Sequence, residues 1–215
     1  MNKSSLKMLT RLIHAGEPDE RFGGAALVPI FQGNVYECSD ELAYGDIPYP
    51  RLSNMPNHLV LHQKLASISG AEDALVTSSG MSAISTTLLG LLKSGDHVLT
   101  QSTLYGGTHG LITKFLPQFG LSFSAVNLDE PTSWEEALRP ETRLFYVETL
   151  TNPLLEVGDL EAVVEFCRHH QLYAVIDNTF ASPINFRPVE WGFDLEVNSA
   201  SKYLNGHSDL IAGAL

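Results

Sequence analysis

Lys202 has the clearest chemical signature in this 215-residue sequence. It follows an apolar stretch, and no other formally charged residue occurs between Val197 and Ser208. We therefore expect a partly desolvated amine with a lowered pKa. Such an amine is nucleophilic toward a carbonyl carbon. Lys202 is thus a candidate for forming a Schiff base with a substrate or a cofactor.

Groups that suit a phosphorylated aromatic cofactor follow three other apolar stretches. A hydroxyl-rich turn leads to Gly80 and Met81 and opens a helix, whose free N–H groups and dipole suit a phosphate. Tyr105 could stack on a ring, and Asp177 needs a partner such as a cationic ring nitrogen. Each signal alone is better explained by capping or packing. Together with Lys202, they meet the requirements of a pyridoxal phosphate site.

The elements that would position these residues follow a regular alternation from residue 70 onward. Short apolar strands alternate with helices, which predicts an α/β fold with a doubly wound, mostly parallel sheet of seven strands. The predicted strands are residues 73–79, 97–101, 123–128, 143–149, 172–178, 195–201 and 210–215, and the predicted helices are residues 81–93, 107–119, 134–138 and 159–170. Ligands bind such sheets at the carboxyl ends of the strands, where the candidate residues lie.

The first 69 residues follow a different pattern. Glycine and proline turn signals recur there, and no long amphipathic stretch precedes Asn57. We predict that residues 1–69 form an arm that contacts a neighbouring subunit. Residues 70–215 are predicted to form the cofactor-binding large domain.

The composition excludes several classes of protein. Thirteen basic and 25 acidic residues give a formal charge of −12, which argues against binding to nucleic acid or to an anionic membrane. No apolar run approaches the ~18 residues of a membrane-spanning helix, and the N-terminus does not resemble a signal peptide. Cys38 and Cys167 lie far apart without metal-ligand spacing. We predict a cytoplasmic protein with reduced thiols.

Three rival functions have weaker support. A nucleotide-dependent oxidoreductase would need a G-x-G-x-x-G turn after the first strand, which is absent. Ser199 and Lys202 have the spacing of an acyl-transfer pair, but the companion motifs of those enzymes are absent. His58 and His62 are four residues apart on a predicted helix, without a third ligand nearby, so a packed or solvated face is the better interpretation.

Five motifs in order resemble the trans-sulfuration family of cystathionine synthases and lyases, enzymes with the aspartate-aminotransferase type of fold. The resemblance covers nearly the whole chain. The motifs are SSGMSAIS (78–85), LYGGT (104–108), VETLTNPLLEV (147–157), VIDNTFASP (175–183) and SASKYLNGHSDLIAGA (199–214).

The resemblance implies a role for each matched residue. Lys202 would form the Schiff base and shuttle protons, Asp177 would keep the ring nitrogen of pyridoxal 5'-phosphate protonated, and Tyr105 would stack on the ring. The other implied cofactor-binding residues are Gly80, Met81, Ser199 and Ser201 at the phosphate, Asn152 facing the ring hydroxyl, and Thr179 beneath the ring. Ser201 replaces the usual threonine and keeps its hydroxyl.

The resemblance also implies an oligomer. Tyr49 and Arg51 match a motif through which a neighbouring subunit completes the phosphate site in this family, so a homodimer or homotetramer is expected. The family motif usually reads Tyr-x-Arg-x-x-Asn-Pro-Thr. Here Met55 lies between Asn54 and Pro56, which leaves the local backbone open.

The implied reaction is that of a cystathionine lyase, which eliminates at a carbon–sulfur bond of a small sulfur-containing amino acid. Cystathionine γ-synthase or O-acyl-homoserine sulfhydrylase-type replacement is the alternative, and a catalytically inactive cofactor-binding fragment is a further one. Gly107 stands where methionine γ-lyases carry cysteine, which argues against methionine cleavage. Family members continue into a smaller C-terminal domain, whereas this sequence stops at Leu215 within a predicted strand. We therefore expect a fragment.

Overall fold

The computed structural model describes residues 6–37, 43 and 47–215. The chain divides into two compact units, Met1–Val76 and Thr77–Leu215. Cys38 lies outside the described residues, and Cys167 is buried as a free thiol. Within the described ranges, no helix is long and apolar enough to cross a membrane.

Among its described residues, the first unit has two packed helices and two short 3-10 turns. Its elements are α1 (Met8–His14), the turn Phe22–Gly24, the turn Pro50–Leu52 and α2 (Pro56–Ser69). Arg11 donates a hydrogen bond to the carbonyl of Ser67 at 3.2 Å, and Lys64 Nζ donates to the carbonyl of Ile13 at 2.7 Å. Seven residues are too few for a periodic pattern, so α1 has no counterpart in the sequence analysis.

The second unit is built on a parallel five-stranded sheet in the order β3-β2-β4-β5-β6. Its strands are β2 (His97–Gln101), β3 (Ser122–Val126), β4 (Thr142–Glu148), β5 (Tyr173–Asp177) and β6 (Leu195–Val197). Two further strands, β1 (Val76–Thr77) and β7 (Gly213–Ala214), form a separate pair. All seven predicted strands are therefore present, in two sheets rather than one. A single antiparallel bridge between Asn198 and Ala214 lies between the sheets, because the predicted strand 195–201 turns away after Val197.

Helices cover both faces of the five-stranded sheet, which confirms the doubly wound α/β fold. The helices of this unit are α3 (Gly80–Leu91), α4 (Gly106–Gly110), α5 (Pro131–Ala137), α6 (Leu160–His170), α7 (Ser182–Asn185) and α8 (Pro188–Trp191). Along β4, Phe145 and Val147 pack with α5 and α6, whereas Leu144 and Tyr146 pack with α3. This alternation follows from the two-residue period of a strand that is buried on both faces.

The predicted helix 107–119 is a helical segment of changing pitch. After α4 it continues as a π turn (Leu111–Phe115) and a 3-10 turn (Leu116–Phe119). Pro117 has no N–H to donate, so regular α-helical hydrogen bonding cannot continue through it. The segment ends at Gly120, whose φ is 79°.

The strand order creates a switch point between β2 and β4. The chain leaves β2 toward β3 on one side and returns to β4 on the other. At such a point, the loops after the two strands diverge and leave a crevice at their carboxyl ends. Tyr105 follows β2 and Asn152 follows β4, so both lie at this crevice.

Candidate active site

A cavity of about 270 Å³ lies at the carboxyl ends of the strands of the second unit. Nine of the predicted site residues line it. They are Gly80, Met81, Tyr105, Asn152, Asp177, Thr179, Ser199, Ser201 and Lys202. The fold therefore brings together side chains from five separate loops and helix ends.

The N-terminus of α3 forms one wall of the cavity. Ser79 caps this helix by accepting a hydrogen bond from the Ser82 N–H at 3.0 Å. A Cβ at Gly80 would lie 2.6 Å from Ser199 Cβ and 2.8 Å from Ser199 Cα, so the close approach requires glycine. The free N–H groups of the helix and Ser199 thus lie side by side, as a phosphate site needs.

Asp177 is fixed by hydrogen bonds at the end of β5. Its Oδ1 accepts from the Thr179 N–H at 2.9 Å and from the Thr179 hydroxyl at 2.5 Å. The same hydroxyl oxygen accepts from the Ser199 N–H at 2.7 Å. The other oxygen, Oδ2, accepts from the Tyr146 hydroxyl at 3.4 Å, and Asp177 lines the cavity.

The surroundings of Asp177 favour a cationic partner. Burial raises the pKa of Asp177, and the hydrogen bonds from Thr179 and Tyr146 oppose this rise. Tyr146 is fully buried, and burial together with the negative charge of Asp177 raises its pKa well above the ordinary value. A protonated ring nitrogen at Oδ2 would compensate the buried carboxylate charge. Asp177 and the start of α3, where Gly80 lies against Ser199, therefore fit pyridoxal phosphate.

Lys202 and Tyr105 lie on a more exposed part of the cavity. The predicted desolvation of Lys202 is wrong, because its side chain is exposed in a turn after β6 rather than packed behind the strand. Its N–H donates to the Ser199 carbonyl at 3.0 Å, which fixes this turn. Tyr105 is 47% exposed, and a Cβ at Gly107 would lie 2.6 Å from its ring.

Ser201 uses its hydroxyl within the chain. It donates to the Ala212 carbonyl at 3.1 Å and accepts from the Ala212 N–H at 2.9 Å. These bonds tie the turn that carries Lys202 to the segment before β7. The Ser201 hydroxyl would have to rotate before it could donate to a phosphate.

The sequence analysis missed Glu148, which also lines the cavity. Glu148 ends β4 as Asp177 ends β5, and the two residues pair in register. Burial raises the pKa of Glu148 to about 7. A carboxylate directly after a buried apolar strand was the signal that identified Asp177, and it could have identified Glu148.

In the first unit, Tyr49 and Arg51 lie together. The Arg51 guanidinium carbon is 4.7 Å from the centre of the Tyr49 ring, and Asn54 Oδ1 accepts from the Tyr49 N–H at 2.8 Å. Ser53 takes a left-handed conformation with φ 57°, and Met55 is buried. Tyr49 and Arg51 therefore lie in a hydrogen-bonded turn despite the inserted Met55.

The two predicted histidines stack on each other in α2. The ring centres of His58 and His62 are 6.1 Å apart. Burial lowers the pKa of His62, and the neighbouring His58 adds to this effect. Across residues 6–37, 43 and 47–215, no group of three or more histidine, cysteine, aspartate or glutamate side chains could hold a metal ion.

Known proteins resemble this chain over almost all its length. It is 41% identical over 206 residues to a probable cystathionine gamma-synthase of Herpetosiphon aurantiacus, covering 96% of this chain and 64% of that protein. It is 35% identical to the cystathionine beta-lyase MetC of Bacillus subtilis, covering 99% of this chain and 54% of that protein. The chain thus spans between about half and two thirds of the length of these relatives.

A solved structure agrees with these relatives. The cystathionine gamma-lyase of Lactobacillus plantarum, complexed with L-serine, superposes with a TM-score of 0.90 at 35% identity, covering 97% of this chain and 54% of that one. The family described as Cys/Met metabolism PLP-dependent enzymes matches residues 9–215. The predicted resemblance, fold class and cofactor are therefore confirmed. This chain belongs to the Cys/Met metabolism PLP-dependent enzyme family.

Proposed function

We propose that this protein is a pyridoxal phosphate-dependent lyase that cleaves a carbon–sulfur bond of cystathionine or a similar sulfur amino acid. The observation that carries the proposal is the convergence of Lys202, Asp177 and the start of α3 on one cavity. Relatives named for cystathionine cleavage support this choice of substrate.

Each side chain has a separate task in this proposal. The bound cofactor supplies an electron sink for the electron pair left when the substrate Cα loses its proton. Lys202 Nζ accepts that proton and returns one to the departing sulfur. Asp177 would keep the ring nitrogen of the cofactor protonated, and the Tyr105 ring would orient the cofactor by stacking.

A replacement reaction is the second candidate. The relative named probable cystathionine gamma-synthase is 41% identical to this chain and supports it. Such an enzyme would use the same lysine and aspartate, and would join a thiol to the substrate after the leaving group departs. The reaction products distinguish the two candidates.

We also propose that the protein works as a homodimer or homotetramer in the cytoplasm. Residues 1–69 would form the arm toward the neighbouring subunit, and Tyr49 with Arg51 would complete its phosphate site. The hydrogen-bonded turn around Asn54 supports this role because it holds the two side chains together. The unpaired thiol of Cys167 is compatible with a reducing compartment.

Product analysis tests the proposed reaction. The purified chain is mixed with pyridoxal phosphate and cystathionine, and released thiol and 2-oxo acid are measured, with Lys202→Ala as control. A thiol released with pyruvate indicates β-elimination, and a thiol released with 2-oxobutyrate indicates γ-elimination. Cystathionine formed from an activated homoserine and cysteine would favour the synthase. Cofactor binding without any of these products would contradict both candidates and leave the inactive fragment.

A further inference from the structure

Glu148 ends β4 at the switch point, between the loop that carries Tyr105 and the loop that carries Asn152. It is 4% exposed and pairs in register with Asp177. Residues in register on neighbouring strands direct their side chains to the same face, so two carboxylates lie close together. Such a group is retained in a buried position only with strong hydrogen-bond partners.

Those partners come from both sides of the crevice. Glu148 Oε1 accepts from the Tyr105 N–H at 2.7 Å, and Oε2 accepts from the Asn152 N–H at 3.3 Å. The Glu148 N–H donates to the side-chain oxygen of Gln101, the last residue of β2, at 3.0 Å. One residue thus joins the loop after β2 to the loop after β4.

We propose that Glu148 is a positioning residue, whose carboxylate holds Tyr105 and Asn152 at the cofactor through their backbone N–H groups. This inference rests on the proposed function for the identity of the group that the loops enclose. Tyr105 is 47% exposed, so packing restrains it weakly, and the bond at its backbone supplies a restraint. Both oxygens of Glu148 are directed at backbone donors, so it acts through these loops.

The charge of Glu148 depends on the groups that face it. These are Asp177 on β5 and Tyr146 on β4 itself. Lys202, in the turn after β6, lines the same cavity. Burial raises the pKa of Glu148 to about 7, the bond from Tyr105 opposes the rise, and the charge of Asp177 adds to it. Protonation near neutral pH turns one of the two oxygens into a hydroxyl, which is a weaker acceptor for a backbone N–H than a carboxylate oxygen.

The unsubstituted chain provides the first test. Amide resonances of Tyr105 and Asn152 in the 215-residue chain are followed by NMR between pH 5 and 9. We expect both to shift with one shared midpoint close to pH 7. Different midpoints, or no titration of either amide, would overturn the inference.

A matched pair of variants provides the second test. Glu148→Gln keeps the size of the side chain, but its single oxygen can serve only one N–H. The bond to Tyr105 is shorter, so we expect the oxygen to remain there and the Asn152 amide to exchange about tenfold faster. Glu156→Gln is the same change at an exposed position of the same loop and should leave both amides unchanged. Equal exchange in the two variants contradicts the inference.

Cofactor binding completes the test. Titration with pyridoxal phosphate should show an affinity about tenfold weaker in Glu148→Gln than in Glu156→Gln. If the amides change but the affinities match, the positioning role is wrong. Failure of the unsubstituted chain to cleave cystathionine would contradict the proposed function alone, since neither the amides nor the affinity depends on turnover.

Discussion

The two sides of the cavity are built differently. On the packed side, formed by Gly80, Asp177 and Ser199, the backbone approaches so closely that a Cβ at Gly80 would overlap Ser199, and Asp177 accepts two bonds through one oxygen. On the open side, formed by Tyr105 and Lys202, both side chains are exposed. Under the proposed function, the packed side would bind the phosphate and ring nitrogen of the cofactor, and the open side would admit substrate and move a proton.

Lys202→Ala should have the largest effect on turnover and should leave the packed side unchanged. Turnover is expected to fall on the order of 10⁴-fold, because the proposed proton acceptor is removed. The free energy of unfolding should change by less than about 0.5 kcal/mol, because the side chain is exposed. Kinetics and urea unfolding check the two statements. A large loss of stability would show that Lys202 is part of the packed structure.

Asp177→Asn should show the opposite pattern on the packed side. The raised pKa of Asp177 means that its ionised form destabilises the folded chain without cofactor. The neutral amide should therefore increase the free energy of unfolding at neutral pH, while turnover falls about tenfold or more. Urea unfolding and kinetics measure the two effects. A variant that is less stable than the parent without cofactor would contradict this account of the carboxylate.

Glu148, between the two sides, predicts a pH dependence. The pKa of Glu148 in the folded chain, about 7, exceeds the ordinary glutamate value of 4.5, so the folded chain binds more protons than the unfolded chain between these values, and its stability falls as the pH rises. The free energy of unfolding should fall by roughly 3 kcal/mol between pH 4.5 and 7 through this group. Glu148→Gln should abolish this part of the dependence. Unfolding free energies of parent and variant, measured across this pH range, check this prediction. A difference between them that does not change with pH would refute it.

Two glycine substitutions compare the sides directly, with the smallest expected effects. In Gly80→Ala, the new Cβ meets the backbone of Ser199, which should cost about 1–3 kcal/mol of stability. In Gly107→Ala, it meets only the movable ends of Tyr105 and Met81, so stability should stay within about 0.5 kcal/mol. Displacing the Tyr105 ring should still weaken cofactor binding about threefold to tenfold. Equal losses of stability would erase the distinction between the sides.

Much of this fold is predictable from the sequence because the central strands are apolar and mostly buried. Strands such as β4 and β5 are short apolar runs between turn signals, and α6 has a capping residue at Asp159 that accepts from the Ala162 N–H. The separation of β1 and β7 from the main sheet was not readable, since strand pairing depends on contacts distant in sequence. The position of Gly80 against Ser199 is a contact of this kind.

The sequence predicted which residues form the site better than it predicted their exposure and hydrogen bonds. The strand end at Asp177 and the helix start at Gly80 follow local sequence rules, so both positions were predictable. The exposure of Lys202 depends on the turn that carries it, and the bonds of Ser201 depend on a segment 11 residues away. Glu148 has the same strand-end signal as Asp177, but its contacts with two separate loops were not predictable from the sequence.

The most direct test of the central claim is to trap the cofactor on the chain. Pyridoxal phosphate is added to the purified chain, the mixture is reduced with borohydride, and the modified lysine is mapped by mass spectrometry. The account predicts an absorbance band that disappears on reduction and one adduct, on Lys202. An adduct spread over surface lysines such as Lys93 and Lys114, or no adduct, would contradict it.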